Sequence, residues 1–150
     1  MNIIKTLDQY NEHCVHFCES IKNNVMNEGQ FIRILYSTQL MSLNGIYVSF
    51  TLNDLNIEKY YNKYKLSFKV MNHIETIDNI TQIENGLLKK INIKNKIPQY
   101  KIKEQFLNGN IKMFIDSFPK QHNNMSFLLK ISGIWETNSH YGVTFKFSKL

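Results

Sequence analysis

The spacing of apolar side chains changes along the 150-residue chain, and each change marks an element. Between Asp8 and Lys22 the apolar positions Tyr10, Cys14, Val15, Phe17, Cys18 and Ile21 recur near 3.6 residues. That spacing predicts a helix over 8–22, with Asp8 as N-cap and Asn23-Asn24 as stop. The period then drops to two. Residues 31–38 are rich in β-formers, and 46–52 place Ile46, Val48, Phe50 and Leu52 opposite Tyr47, Ser49 and Thr51. Leu43-Asn44-Gly45 between them reads as a turn, so the two segments are expected to pair as a hairpin. Residues 53–62 are polar and read as a loop or one helical turn. Over 63–71, Tyr64, Leu66, Phe68 and Val70 alternate with Lys63, Lys65, Ser67, Lys69 and Met71, the mark of a half-buried strand with a lysine-rich outer face.

Helical spacing returns over 74–91, where Ile74, Ile77, Ile80, Ile83, Leu87, Leu88 and Ile91 form one stripe. A basic linker, 89–96, runs up to Pro98, and Tyr100 and Ile102 read as the start of an extended piece. Asn108-Gly109 reads as a two-residue hairpin turn into a strand over 111–115. After Pro119, Phe127, Leu129, Ile131, Gly133 and Trp135 share one face of a strand. Tyr141, Val143, Phe145 and Phe147 share one face of the next, across the turn Thr137-Asn138-Ser139. Helix, three strands, helix and three or four strands is the order of a mainly β fold, an OB-like barrel of five to seven strands that binds oligonucleotides on its open face. On this reading 1–150 is one nucleic-acid-binding domain, with 1–28 as a helical extension. An α+β open antiparallel sheet is the rival, because one sequence does not record barrel closure.

Composition narrows the class. The chain is 43% apolar and 20% charged, which excludes a disordered tail. No apolar run approaches the ~18 residues of a membrane span, and no secretory leader is evident, so an intracellular protein with no membrane contact is expected. Alanine is absent, while Ile and Asn occur 19 times each and Lys 17 times against one arginine. Their codons are AT-rich, so genome bias alone could supply much of the net charge of +6. The distribution of charge is harder to explain that way. Residues 1–58 carry three cations and six anions, a balance of −3, and residues 59–150 carry fifteen and six, a balance of +9. Clustered cations attract a polyanion, and phosphate contacts dominate nucleic-acid affinity.

Metal and catalytic chemistry find little support. His13-Cys14-x-His16-x-Cys18 offers four ligands in six residues, but on a helix 13 and 16 lie off the 14/18 face. Without a second ligand pair no zinc site is expected, and Cys14 and Cys18 read as small core residues. Phosphate-loop, dinucleotide, nucleophile-elbow and H-E-x-x-H motifs are missing, and His73, His122 and His140 read as solvated turn residues. Neither an enzyme nor a cofactor is expected.

What remains is aromatic rings interleaved with cations, the combination that holds single strands by stacking and phosphate contact. The candidates on predicted strands are Arg33, Tyr36, Tyr47, Lys65, Lys69, Lys112, Phe114, Lys130, Trp135, Tyr141 and Lys146. Against this, Phe127, Leu129, Ile131, Phe145 and Phe147 stand at core spacing. Trp135, by sharing a face with Ile131, is open to either use. Tyr47 is the better platform, since its same-face neighbours Ser49 and Thr51 are polar.

Residues 128–137, Leu-Leu-Lys-Ile-Ser-Gly-Ile-Trp-Glu-Thr, followed by 141–147, Tyr-Gly-Val-Thr-Phe-Lys-Phe, resemble the ending of small single-stranded-DNA-binding proteins of large DNA viruses, particularly those of insects. Residues 98–102 and 105–112 extend the likeness to about 50 positions. The resemblance implies an OB-like fold and sequence-tolerant, non-enzymatic binding of single-stranded DNA in viral replication or recombination, in the host nucleus or at the viral replication site. It also implies contact or support roles for Lys130, Trp135, Lys146 and Phe147. RNA would fit the same surface. The acidic first third departs from a uniformly basic binder and reads as a contact for a second copy or a protein partner. The competing class is a structural or regulatory module that binds virion or host proteins through a β surface.

Overall fold

The computed structural model describes residues 3–22, 29–113 and 124–150. The fold is mainly β, with two α-helices. One sheet of eight strands is built around a single long strand, and a second sheet has three. Strands β1 (Lys5–Thr6), β2 (Val15–Lys22), β3 (Gln30–Ser37), β4 (Ser42–Leu43) and β5 (Ile46–Asn53) come first. Next are β6 (Asn56–Tyr60), β7 (Lys63–Ser67), helix α1 (Ile74–Ile91), β8 (Ile97–Gln99), helix α2 (Lys101–Leu107) and β9 (Asn110–Met113). The chain ends in β10 (Asn124–Glu136) and β11 (His140–Lys149).

β10 organises the larger sheet. Its first part pairs with β5, from Asn124↔Asn53 to Ile131↔Ile46, and its last four residues pair with β3, from Gly133↔Arg33 to Glu136↔Gln30. β11 lines the other side of β10 as the expected final hairpin, with a bulge between Ile131 and Gly133. The bulge bends the strand and lets it leave one partner for the next. β1 and β8 add parallel edges to β5 and β11, and β2 and β4 flank β3. The smaller sheet runs β6-β7-β9. Among the described residues the two sheets do not close into a barrel.

Several expected elements change. The helix over 8–22 is instead a 3-10 turn at Glu12–Cys14 followed by strand β2. A register shift between Phe17 and Ser20 slips the apolar alternation there, and an interrupted period of two imitates 3.6. Segments 31–38 and 46–52 are strands but not each other's hairpin partners. β3 turns into β4 through Thr38–Met41, and the chain then rounds a corner at Gly45, whose φ is 128°. A Cβ there would lie 2.8 Å from the Ile131 carbonyl oxygen, so this close approach to β10 needs glycine. Residues 56–60, read as loop, form β6. The extended piece at 100–102 is the first turn of α2, and Asn108-Gly109 ends that helix rather than turning a hairpin. Phe114 and the rest of the 111–115 strand beyond Met113 lie outside the described residues, as does His122.

Helix α1 occupies the predicted 74–91. It buries Ile77, Ile80, Ile83, Leu87 and Leu88, carries Lys89 and Lys90 at its negative C-terminal end, and stops on a left-handed Asn92. Lys90 Nζ donates to the Val15 carbonyl at 2.8 Å, tying the helix to the start of β2. Helix α2 wedges Phe106 into the core. Its ring lies 5.7 Å from Phe50, 5.6 Å from Phe147 and 5.8 Å from Phe68, bridging both sheets. Burying a side chain of this size contributes about 1.5–3 kcal/mol. His73, expected in solvent, is 5% exposed. Its Nδ1–H donates to the Lys69 carbonyl and its Nε2 accepts the Asn53 N–H at 2.9 Å, fixing one neutral tautomer between β5 and α1.

Candidate nucleic-acid interface

Alternation along β5, β10 and β11 gives the larger sheet an inner and an outer face. Met125, Phe127, Leu129 and Ile131 of β10 point inward with Ile46, Val48, Phe50 and Leu52 of β5. The intervening positions point outward, and the register sets Tyr47, Lys130 and Lys146 side by side in one row across three strands. Beyond the bulge, Trp135 and Gly133 join that outer face, with Phe31 and Arg33 of β3 opposite them. The bulge separates Trp135 from Ile131, which simple alternation would place together.

Two rings lie on glycine. A Cβ on Gly142 would fall 2.7 Å from Trp135 Cζ2, and one on Gly133 would fall 2.5 Å from Phe31 Cζ. The Trp135 indole therefore packs over Gly142 on the neighbouring strand, and the tip of the Phe31 ring packs over Gly133. Lys101 Nζ sits over the Trp135 ring at 4.9 Å, and Lys130 Nζ over the Tyr47 ring at 5.4 Å. A cation over an exposed ring is worth about 0.5–1 kcal/mol. Base stacking is worth about 1–3 kcal/mol. By these magnitudes a planar ring stacked there would outcompete the ammonium for the same face.

The second cationic set is on the smaller sheet. Lys63, Lys65, Ser67, Asn110 and Lys112 share the outer face of β7 and β9, and Lys65 stands directly opposite Lys112. Lys146 belongs to both sets, since it lines a trough with Lys63 and Lys112 where β11 passes β9.

Of the sequence candidates, Arg33, Tyr47, Lys130, Trp135 and Lys146 fall on the outer face of the larger sheet, and Lys65 and Lys112 on that of the smaller one. Lys69 is exposed past the end of β7, apart from both sets. Tyr36 and Tyr141 are 3% and 4% exposed and do not reach either face. The Tyr36 hydroxyl accepts the Asn11 N–H at 3.0 Å, its ring stacks on Tyr10 at 6.0 Å, and burial pushes its ionisation up. Tyr141 faces inward with Val143, as its own alternation implied. Sequence reasoning missed Phe31 and Lys101. Phe31 shares parity with Arg33 and could have been found; Lys101 was masked by reading α2 as extended.

Among the described residues no group of three or more His, Cys, Asp or Glu side chains comes together as a metal site. Cys14 and Cys18 are half-buried free thiols, Cys14 closing the 3-10 turn and Cys18 on β2. No helix among the described residues is long and apolar enough to cross a membrane. Comparison with known proteins finds no matching family model, curated protein or solved structure.

Proposed function

We propose that the protein is a non-enzymatic, sequence-tolerant binder of single-stranded nucleic acid, DNA in the first instance, and that the strand lies on the outer face of the larger sheet. The observation that carries this reading is the row Tyr47–Lys130–Lys146 continued by Phe31, Arg33 and Trp135, rings and cations together on one surface. Rings seated on glycine present flat platforms that any base can use, and the cations beside them meet the backbone. The resemblance of residues 128–147 to viral single-strand binders points the same way, toward replication or recombination. An OB-like arrangement is the finer fold reading; it draws support from β10, one bent strand shared by β3 and β5.

Fluorescence anisotropy with labelled oligo-dT tests the proposal. If Arg33, Lys101, Lys130 and Lys146 meet phosphates, log K should fall with log salt at a slope of about −3, at roughly −0.7 per neutralised phosphate on single strands. Lys130→Ala should lower that slope by about 0.7. Tight binding that ignores salt, or no binding at low salt, would overturn the reading. Competition between ribo- and deoxyribo-oligomers sets the preference between RNA and DNA.

A further inference from the structure

Where the edge of β11 passes β9, the surface sinks into a trough of about 670 Å³. That is within the range of small-ligand sites, about 300–1,000 Å³, and far larger than a phosphate needs. Its walls divide by chemistry. Lys63, Lys112 and Lys146 supply three ammonium groups, Phe145 supplies a half-exposed ring, and Gln105 of α2 and Asn110 of β9 supply two carboxamides. The Phe145 ring is held edge-on against the core ring of Phe147 at 5.5 Å, so its position is fixed by packing. A carboxamide offers a donor and an acceptor side by side, the pattern that base edges present.

We infer that this trough is a nucleotide pocket. It takes one nucleotide unit of the bound strand, its phosphate against the three lysines, its base on Phe145 and its base edge against Gln105 and Asn110. The inference rests on the single-strand reading and deepens it. Lys146 stands at the end of the Tyr47–Lys130–Lys146 row, so a strand following that row runs off the sheet into the trough. A surface of stacked rings lets a strand slide; a pocket gripping one unit fixes its position.

Calorimetric titration of the whole protein with thymidine triphosphate, deoxyadenosine triphosphate and inorganic triphosphate tests this, with oligo-dT binding measured in parallel. Both nucleotides should bind at least about fivefold more tightly than inorganic triphosphate, the advantage that ring stacking confers. They should leave the emission of the single tryptophan, Trp135, unchanged, because it lies on the other surface. Lys112→Glu should abolish nucleotide binding, and Phe145→Leu should erase the advantage over inorganic triphosphate while circular dichroism stays native. Gln105→Ala, at a half-buried position of α2, should weaken binding of both nucleotides without changing inorganic triphosphate affinity. Equal affinity for nucleotide and inorganic triphosphate would reduce the trough to a general anion patch and overturn the inference. Oligo-dT binding without mononucleotide binding would overturn the pocket alone. Failure of oligo-dT itself would overturn the functional reading beneath it.

Discussion

Lys130 and Lys146 stand directly opposite each other on neighbouring strands, as do Lys65 and Lys112. Like charges in that position destabilise a sheet, by the same roughly 0.2–1 kcal/mol that an opposite pair contributes. The Lys130–Lys146 pair would suit the polyanionic partner proposed above. Lys146→Glu should therefore raise the stability of the free protein by up to about twice that amount, since it removes the repulsion and creates an opposite pair with Lys130, while weakening oligo-dT binding. Urea unfolding and anisotropy read the two effects separately, and a loss of stability accompanying the loss of binding would contradict this account of the pair. Trp135 shows how little separates a core residue from a platform. Alternation from Phe127 sends it inward, yet one inserted position between Ile131 and Gly133 turns it outward onto Gly142. Tyr47 needed no such correction, because its polar neighbours Ser49 and Thr51 already marked the outer face.

Helix α2 is seven residues long, too short to be stable alone. Its first turn is held by a distant group. Glu84 of α1, fully buried, accepts the N–H of Ile102 at 2.9 Å and of Lys103 at 3.0 Å, capping α2 from across the helix pair. Burial raises the Glu84 carboxyl above its ordinary value, and the two backbone N–H donors only partly oppose that. The folded protein thus holds this proton more tightly than the unfolded chain, so Glu84 removes stability as pH rises from the ordinary carboxylate range through the raised value. Plotted against pH, the urea midpoint of wild type should lose ground to that of Glu84→Gln over this window; parallel curves would contradict the assignment. Glu84→Ala should cost about 1–3 kcal/mol below that window and less above it, because it strands the buried Ile102 N–H and the part-buried Lys103 N–H.

That cap also explains what the sequence hides. The N-cap, Tyr100, carries no capping side chain, because the acceptor for the Ile102 N–H sits 18 positions upstream of that residue. Helix α1, with a continuous stripe and basic last turn, was legible to the residue, and the β10–β11 pairing was legible from its alternation and turn, though not the first three residues of β10 or its bulge. β2 was not, because a register shift disguised its period. The pairing of β3 and β5 was also hidden, since it depends on where β10 bends. The candidate face was half legible. Strand parity places Arg33, Tyr47, Lys130 and Lys146, and Phe31 with Arg33, whereas Lys101 joins the face only from helix α2.

On the scale of the whole molecule, the contrast between an acidic first third and a basic remainder is not a division in space. β3 and β5, from the acidic part, pair with β10 from the basic part, so Arg33 and Tyr47 share a surface with Lys130, Trp135 and Lys146. The cationic outer faces of the two sheets meet at Lys146 beside β9. This continuity would let one strand span both. Because Trp135 is the only tryptophan, its emission reports on the larger-sheet part of that path without any label. Titrating oligo-dT into the protein at stepped salt concentrations is the most direct trial. Trp135 emission should be quenched as bases replace Lys101 on its ring, with the midpoint moving to higher oligomer concentration as salt rises. Emission that stays constant while anisotropy reports saturation would place the strand elsewhere and contradict the account.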